Sequence, residues 1–286
     1  MCGRYASSRR PEDLAEEFEI DRTRLPETVT QPLEPDFNVA PTKQVYAVVT
    51  RPQGQAQTPA DGQPQEEQGP ELERQLRVLR WGLVPFWAKD PGIGSRLINA
   101  RMETVGEKPA FRQAFTRRRC LLPADGYFEW YPTQQKTKAG KPLKQPFFIR
   151  PKDDRVMAMA GLYEIWRDPT RDDEDPERLR WTCTVLTTSA EDEVGRIHDR
   201  MPMLVEPERY AAWLDPSRND PDELKGLLVP AAPGRLEAYP VSTKVNSVRN
   251  NGPELVEPLP VEDLPADLDD DLADTLAGTD GGATQA

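Results

Sequence analysis

RRRCLLPADGYFEWY, residues 117–131, is the stretch on which the reading of the fold turns. An apolar run at Cys120–Leu122 and an aromatic run at Tyr127–Tyr131 flank Pro-Ala-Asp-Gly, a cluster of turn formers. The segment therefore predicts two strands around a turn. In the second strand Tyr127, Glu129 and Tyr131 share one face, and Phe128 and Trp130 take the other. The large apolar pair is expected to face the core. Glu129 then points into a pocket flanked by tyrosines, where loss of water raises its pKa and suits it to proton transfer. A solvated carboxylate on an open sheet face is the alternative that this segment leaves standing.

Outward from this stretch, further strands are predicted at VYAVVT (45–50), LRVLRWGL (76–83), PFFIR (146–150), RVMAMAGLYEIW (155–166), WTCTVLTTS (181–189) and LEAYPVS (236–242). SRLINARMET (95–104) also alternates, with Ile98, Ala100 and Met102 on one side and Asn99, Arg101 and Glu103 on the other. Helical spacing is confined to short pieces. PEDLAEEFEI (11–20) puts Leu14, Ala15 and Phe18 on one face, and EKPAFRQAFT (107–116) packs Phe111 and Phe115. ERYAAWL (208–214) and DELKGLL (222–228) complete the set. Strands outnumber helices and no connection resembles a repeated βαβ crossover. The expected fold is α+β, a single domain with a mainly antiparallel, barrel-like β core flanked by short helices.

The net charge of -12 argues at first against nucleic acid, but its distribution reverses that argument. The Gln/Pro/Gly-rich stretch 52–76 carries a net -4, and the Asp-rich end 254–286 carries -10. What remains is close to neutral, with a net +2. The first stretch reads as a low-complexity insert within a hairpin, and residues 259–286 as an acidic disordered tail. The body is thus expected over residues 2–258. No apolar run reaches the length of a membrane span, and MCGRYASSRR lacks a secretory apolar stretch. A cytoplasmic or, in a eukaryote, nuclear location is expected. The three cysteines, Cys2, Cys120 and Cys183, form no CxxC pair, and the single histidine is His198. Neither a disulfide framework nor a metal site is expected.

Cys2 is the most reactive candidate. Removal of Met1 in front of a small residue leaves an α-amine and a thiol on adjacent carbons. Their ordinary pKa values, about 7.7–8.0 and about 8.5, leave fractions of free amine and thiolate near neutrality. Such a 1,2-aminothiol attacks an aldehyde through nitrogen and closes a five-membered thiazolidine through sulfur. A lysine forms the imine but cannot close that ring. The same thiolate could instead attack a carbonyl, as in a thiol peptidase. Gly3 permits close backbone approach, and Arg4 offers a positive charge beside the thiol. His198, in RIHDRMP, is the one imidazole available as acid or base, with Asp199 and Arg200 beside it. Asn99 and Arg101 offer an amide and a guanidinium fork to a substrate oxygen or phosphate, or form a polar strand face exposed to water. Trp87, Phe86 and Pro41 offer apolar surface on which bases stack, although Phe86 and Trp87 suit a core equally well.

Eight motifs occur in order: MCGRY, FNVAPT, WGLVPFWA, INARMET, PADGYFEW, VLTT, IHDRMP and VSTKVNSVRNNGPEL. Together they closely resemble the SOS response-associated peptidase family, whose members sense abasic sites in DNA. The resemblance implies that the mature Cys2 forms a thiazolidine with the ring-opened aldehyde of an abasic site in single-stranded DNA. It implies a catalytic set of Cys2 as nucleophile, Asn99 ordering the cysteine and the sugar, Glu129 as acid/base and His198 as proton donor. Gly3, Arg4, Asn38, Pro41, Trp87, Arg101 and Arg200 are the expected DNA-binding positions, with Arg112 and Arg117–Arg119 as further basic candidates. No cofactor, metal or membrane is implied, and a monomer is expected. Two other readings stay open: a thiol peptidase acting on proteins, and a noncovalent reader of modified DNA bases.

Overall fold

The computed structural model describes residues 2–52, 71–136, 138–175, 178–190, 192–230 and 234–264. In chain order the elements begin with β1 (Tyr5–Ser7), α1 (Pro11–Glu17), α2 (Leu25–Thr28), β2 (Asp36–Val39), β3 (Gln44–Pro52) and β4 (Leu72–Trp81). They continue with β5 (Asn99–Arg101), α3 (Arg112–Arg117), β6 (Arg119–Ala124), β7 (Gly126–Lys136), β8 (Pro142–Pro151) and β9 (Met157–Arg167). β10 (Leu179–Ser189), α4 (Asp192–Ile197), β11 (Arg200–Pro202), α5 (Tyr210–Leu214), α6 (Pro221–Leu227) and β12 (Leu236–Pro240) follow.

The two strands predicted around Pro-Ala-Asp-Gly exist, but they are not partners. β6 pairs with β3 and β9, whereas β7 pairs with β1 and β8. The chain passes from one sheet to the other at Asp125. Gly126 makes the passage possible: a Cβ there would meet the Phe148 ring and lie 2.6 Å from the Ile149 carbonyl oxygen. Any side chain at this position would push β7 off β8.

β10, β4, β3, β6 and β9 are hydrogen-bonded in series, and β9 pairs back onto β10, which closes a five-stranded barrel. The pairings are antiparallel except for β10 with β4 and β10 with β5. A second, open sheet runs β12-β8-β7-β1-β2. The α+β, barrel-like expectation describes this molecule. Alternate residues of the barrel strands serve two cores. Tyr46, Val48, Leu76 and Leu121 pack under the helices with Leu14, Phe115 and Trp213. Val45, Ala47, Trp81, Cys120 and Cys183 pack against Tyr5, Tyr127, Phe147 and Ile149 of the open sheet.

β3 and β4 pair without interruption from Gln44↔Arg80 to Pro52↔Leu72. β4 thus begins inside the 52–76 stretch that composition assigns to an insert, and Gln75 and Leu76 are buried. Low-complexity composition hid the strand because Glu73, Arg74 and Gln75 interrupt any apolar alternation at its start. Residues 53–70 lie outside the described residues, as do 265–286 of the expected tail. The body itself runs past residue 258. The Leu259 amide donates to the Pro240 carbonyl, and Val261–Asp263 form a 3-10 turn.

One arginine of the RRR run is a structural fastener. Arg119 is 3% exposed and donates to the carbonyls of Phe115, Trp213, Asp215 and Arg218. Burial without a paired carboxylate lowers its pKa to about 10. It ties α3 to α5 and the following loop, which removes it from the DNA-binding candidates. Arg118 is engaged as well, with Nε 3.2 Å from the buried Glu164 carboxylate.

Candidate functional site

The four residues expected to act chemically come from four separate elements. Cys2 precedes β1, Asn99 opens β5, Glu129 lies on β7, and His198 sits between α4 and β11. They meet where the open sheet crosses the end of β10. β5 and β11 both pair with β10, at Val185↔Asn99 and Ser189↔Arg200, and β1 pairs with β7 at Tyr5↔Tyr127.

Cys2 is fully buried in the chain as encoded, with Met1 ahead of it. The Asn99 side-chain amide donates to the Cys2 carbonyl at 2.7 Å, which fixes the backbone that carries the amine and the thiol. The other end of that amide, Oδ1, is buried and has no hydrogen-bond partner. It is an acceptor aimed into the site. Burial, and then the nearby Glu129 carboxylate, push the Cys2 thiol pKa far up. Burial outweighs the opposing pull of the amino terminus and so favours the neutral thiol over the expected thiolate. Arg4 does not act on the thiol as the sequence suggests. Its guanidinium donates to Asn38 Oδ1 at 2.6 Å and to the Val245 carbonyl at 2.9 Å, and it lies over the Trp130 ring.

Glu129 is 3% exposed, and burial raises its pKa to about 7. Glu129 is thus buried and not solvated, but the strand faces are the reverse of the simple expectation. Tyr127 and Glu129 face the main core, with the Tyr127 hydroxyl buried and unpartnered. Phe128 packs outside with Ala6, Phe148, Val241, Val245 and Leu255, and Trp130 is half-buried with its indole N–H on Asn246 Oδ1. The C-terminal segment covers that outer face, so both sides of β7 are buried and alternation alone could not rank them.

His198 Nε2 lies 4.0 Å from Glu129 Oε2. Nδ1 accepts the Arg200 amide hydrogen at 3.0 Å, so the neutral ring carries its hydrogen on Nε2, toward Glu129. Asp199 Oδ1 stands 3.0 Å from the same Nδ1 and favours the protonated ring, but partial burial outweighs it and the His198 pKa is lowered.

The DNA-binding positions divide. Arg101 is exposed, Gly3 and Pro41 are partly exposed, and Phe86 and Trp87 are 52% and 49% exposed, so neither aromatic is a core residue. Asn38 is fully buried. Its amide donates to the carbonyls of Val245, Ser247 and Asn250, so it organises the C-terminal segment and Arg4 from inside. Arg200 is held by a two-pronged ion pair with Glu103, at 2.6 and 3.1 Å, and by the Thr187 carbonyl at 2.7 Å. Neither presents a free group outward. The roles of Glu103 and the 245–250 carbonyls went unread in the sequence, since each acts through contacts 97 or more residues distant, and Thr187, 13 residues from Arg200, carried no motif of its own. Among the described residues no group of three or more His, Cys, Asp or Glu side chains is placed to hold a metal, and no helix is long and apolar enough to cross a membrane.

Compared with known proteins, residues 1–248 match the family model described as SOS response associated peptidase (SRAP). The chain is 39% identical over 257 residues to the abasic site processing protein YoqW of Bacillus subtilis, covering 90% of this chain and 99% of that protein. It is 34% identical over 210 residues to the abasic site processing protein HMCES of Gallus gallus, covering 65% of this chain and 58% of that one. A solved structure of a Bacteroides thetaiotaomicron protein matches with a TM-score of 0.66 at 24% identity, covering 90% of this chain and all of that one. That last likeness is one of fold.

Proposed function

This chain belongs to the SOS response associated peptidase family, and on that premise we propose that it captures abasic sites in single-stranded DNA covalently through Cys2. Removal of Met1 creates the reacting group. The freed α-amine adds to the C1′ aldehyde of the ring-opened sugar, and the carbinolamine loses water to an imine. The Cys2 sulfur then adds to the imine carbon while its proton passes to nitrogen, closing a thiazolidine. One water leaves per crosslink, and no oxidant or cofactor takes part.

The observation that carries this reading is the placement of Glu129 and His198 against each other beside a cysteine whose carbonyl Asn99 holds. A carboxyl group titrating at about 7 exchanges protons readily at neutral pH, which addition, dehydration and ring closure each require. His198, with Nε2–H directed inward, is the proton donor for opening the sugar ring and for reversing the crosslink. The unpartnered Asn99 Oδ1 offers an acceptor to the amine or to a sugar hydroxyl. Arg101, Gly3, Pro41 and Trp87 are the exposed positions we assign to the flanking DNA. A buried thiol kept protonated disfavours the thiol peptidase alternative, which needs a thiolate from the start.

Intact-protein mass spectrometry tests the proposal. The mature chain incubated with single-stranded DNA holding one abasic site should gain the oligonucleotide mass less one water. Cys2→Ala, or a chain that retains Met1, should gain nothing. An adduct that survives Cys2→Ala, or a mature wild-type chain that forms none, overturns it.

A further inference from the structure

On the outside of the barrel, between the start of β3, the C-terminal half of β4 and the start of β10, lies a groove of about 670 Å³. Its walls include Arg77, Arg80, Arg180 and Trp181, with Gln31 and Gln44 as neutral polar neighbours, and no carboxylate lines it. Arg180 is paired with Asp168 at 2.8 Å. Arg77 and Arg80 make no ion pair among the described residues, and Arg80 is exposed. In a chain whose net charge is -12, two unpaired guanidiniums sharing one groove require an explanation.

Trp181 is a fixed platform. One stacking partner is Tyr163, with ring centroids 5.6 Å apart and planes 9° from parallel. The Arg77 guanidinium lies 4.7 Å from the indole centroid, and Arg51 lies 5.0 Å from it. Arg77 Nε donates to Gln75 Oε1 at 2.8 Å. Stacked and held at Nε, a guanidinium is preorganised to offer its remaining N–H edge to a planar or tetrahedral oxyanion. The like charge of Arg51 and burial both press on Arg77, and an arriving anion relieves the repulsion.

The groove and the candidate site are joined by a short run of internal contacts. Gln44 pairs with Arg80, the Thr42 amide donates to the Trp81 carbonyl, and Trp81 Nε1 donates to the Ile98 carbonyl, next to Asn99. Along β10, Trp181 stands four residues before Val185, the residue opposite Asn99. That is about 13 Å of strand, a distance that a few nucleotides of single strand can span.

We propose that this groove, through Arg77 and Arg80 beside Trp181, binds the phosphodiester backbone of single-stranded DNA away from the lesion. The inference rests on the reading that the protein engages single-stranded DNA at Cys2. It adds a second, sequence-independent contact that sets how much flanking strand the protein holds. Both faces of Trp181 being covered, the groove takes phosphates and not stacked bases.

Binding of intact, lesion-free dT15 and dT4 to the full chain, read by fluorescence anisotropy between 50 and 200 mM salt, tests it. For dT15 the doubly substituted R77Q/R80Q chain should lose about 1.4 from the slope of log K against log salt, since each phosphate contact on a single strand contributes about 0.7. R80Q alone should lose about half of that, and R77K/R80K should keep the slope. Binding of dT4, with fewer phosphates to place, should lose no more than that of dT15. An unchanged dT15 slope and affinity in R77Q/R80Q overturns the proposal. So does an equal loss in R77K/R80K, which marks a role in folding instead. Crosslinking of an abasic tetranucleotide, measured separately, judges the Cys2 reading without involving the groove.

Discussion

Nδ1 of His198 accepts the backbone amide of Arg200 at 3.0 Å, and this contact decides which way the imidazole can give a proton. With Nδ1 engaged, the hydrogen of the neutral ring sits on Nε2, the atom 4.0 Å from Glu129 Oε2. The two residues are 69 positions apart in the chain, Glu129 on β7 and His198 between α4 and β11, yet folding brings them together. Glu129, with a pKa near neutrality, and His198, lowered by burial, can both be uncharged at the pH where the protein works.

The rate of crosslinking should therefore rise with pH through about 7 in the wild type, as Glu129 loses its proton and becomes the base that frees the amine. Glu129→Gln should be slower by about 10²–10⁴-fold and should lose that inflection. Single-turnover adduct formation from pH 5 to 9 measures both. An inflection that persists in the variant assigns the titration to another group.

The same shift makes a prediction for stability. Glu129 is raised in the folded chain above its unfolded value, so its stabilising contribution is complete below about pH 4 and is lost as pH rises through about 7. The change across that window is on the order of 3 kcal/mol. Glu129→Gln should melt above the wild type at pH 8 and level with it near pH 4, by differential scanning calorimetry. A variant that melts lower at both values contradicts this account.

Cys2→Ser separates the amine from the sulfur. Because the thiol is buried and protonated, the nitrogen should react first, and the serine chain should still form an imine. That adduct should be trapped by borohydride and should hydrolyse without it, whereas the wild-type adduct should resist hydrolysis. A serine variant that forms no trappable species means that sulfur must attack first.

His198→Ala should slow release of a preformed crosslink while binding of lesion-free DNA stays unchanged. Release kinetics against an excess of competing abasic DNA, paired with anisotropy, check the two halves. A matching loss of affinity would make His198 a structural residue of the α4–β11 turn.

Asn38→Ala should act through the fold. It removes the donor that holds the carbonyls of Val245, Ser247 and Asn250 and the acceptor for Arg4. Leaving buried groups unpaired costs about 1–3 kcal/mol each before relaxation, so a fall of about 2–4 kcal/mol in unfolding free energy is expected. Hydrogen exchange should speed up across 245–250. Unchanged protection there would return Asn38 to a direct part in binding.

Much of the architecture was legible because short strands with strong alternation and clear turn residues leave few other readings. The helix expected over 11–20 forms at Pro11–Glu17, the strands expected at 45–50, 146–150 and 155–166 form at Gln44–Pro52, Pro142–Pro151 and Met157–Arg167, and Ala100 faces inward. What failed did so where pairing is not local. The Pro-Ala-Asp-Gly turn looks like a hairpin in one dimension, but its two strands join different sheets. The start of β4 was hidden by Glu73, Arg74 and Gln75, polar residues in a row on a paired strand.

The sequence by itself determined the chemistry on offer: a cysteine behind a removable methionine, one histidine, and a glutamate set among aromatics, in a motif order that marks the family. Those are properties of residue types and their spacing, and folding does not alter them. Only the tertiary structure decided their electrical state and their company. Burial between a barrel and a sheet keeps the Cys2 thiol protonated and lifts Glu129 to about 7, because removing water penalises charge whatever the sequence neighbours are. Burial made Arg119 and Asn38 internal fasteners, and an ion pair with Glu103 holds Arg200. The fold left Arg77 and Arg80 unpaired on a surface that no motif had marked.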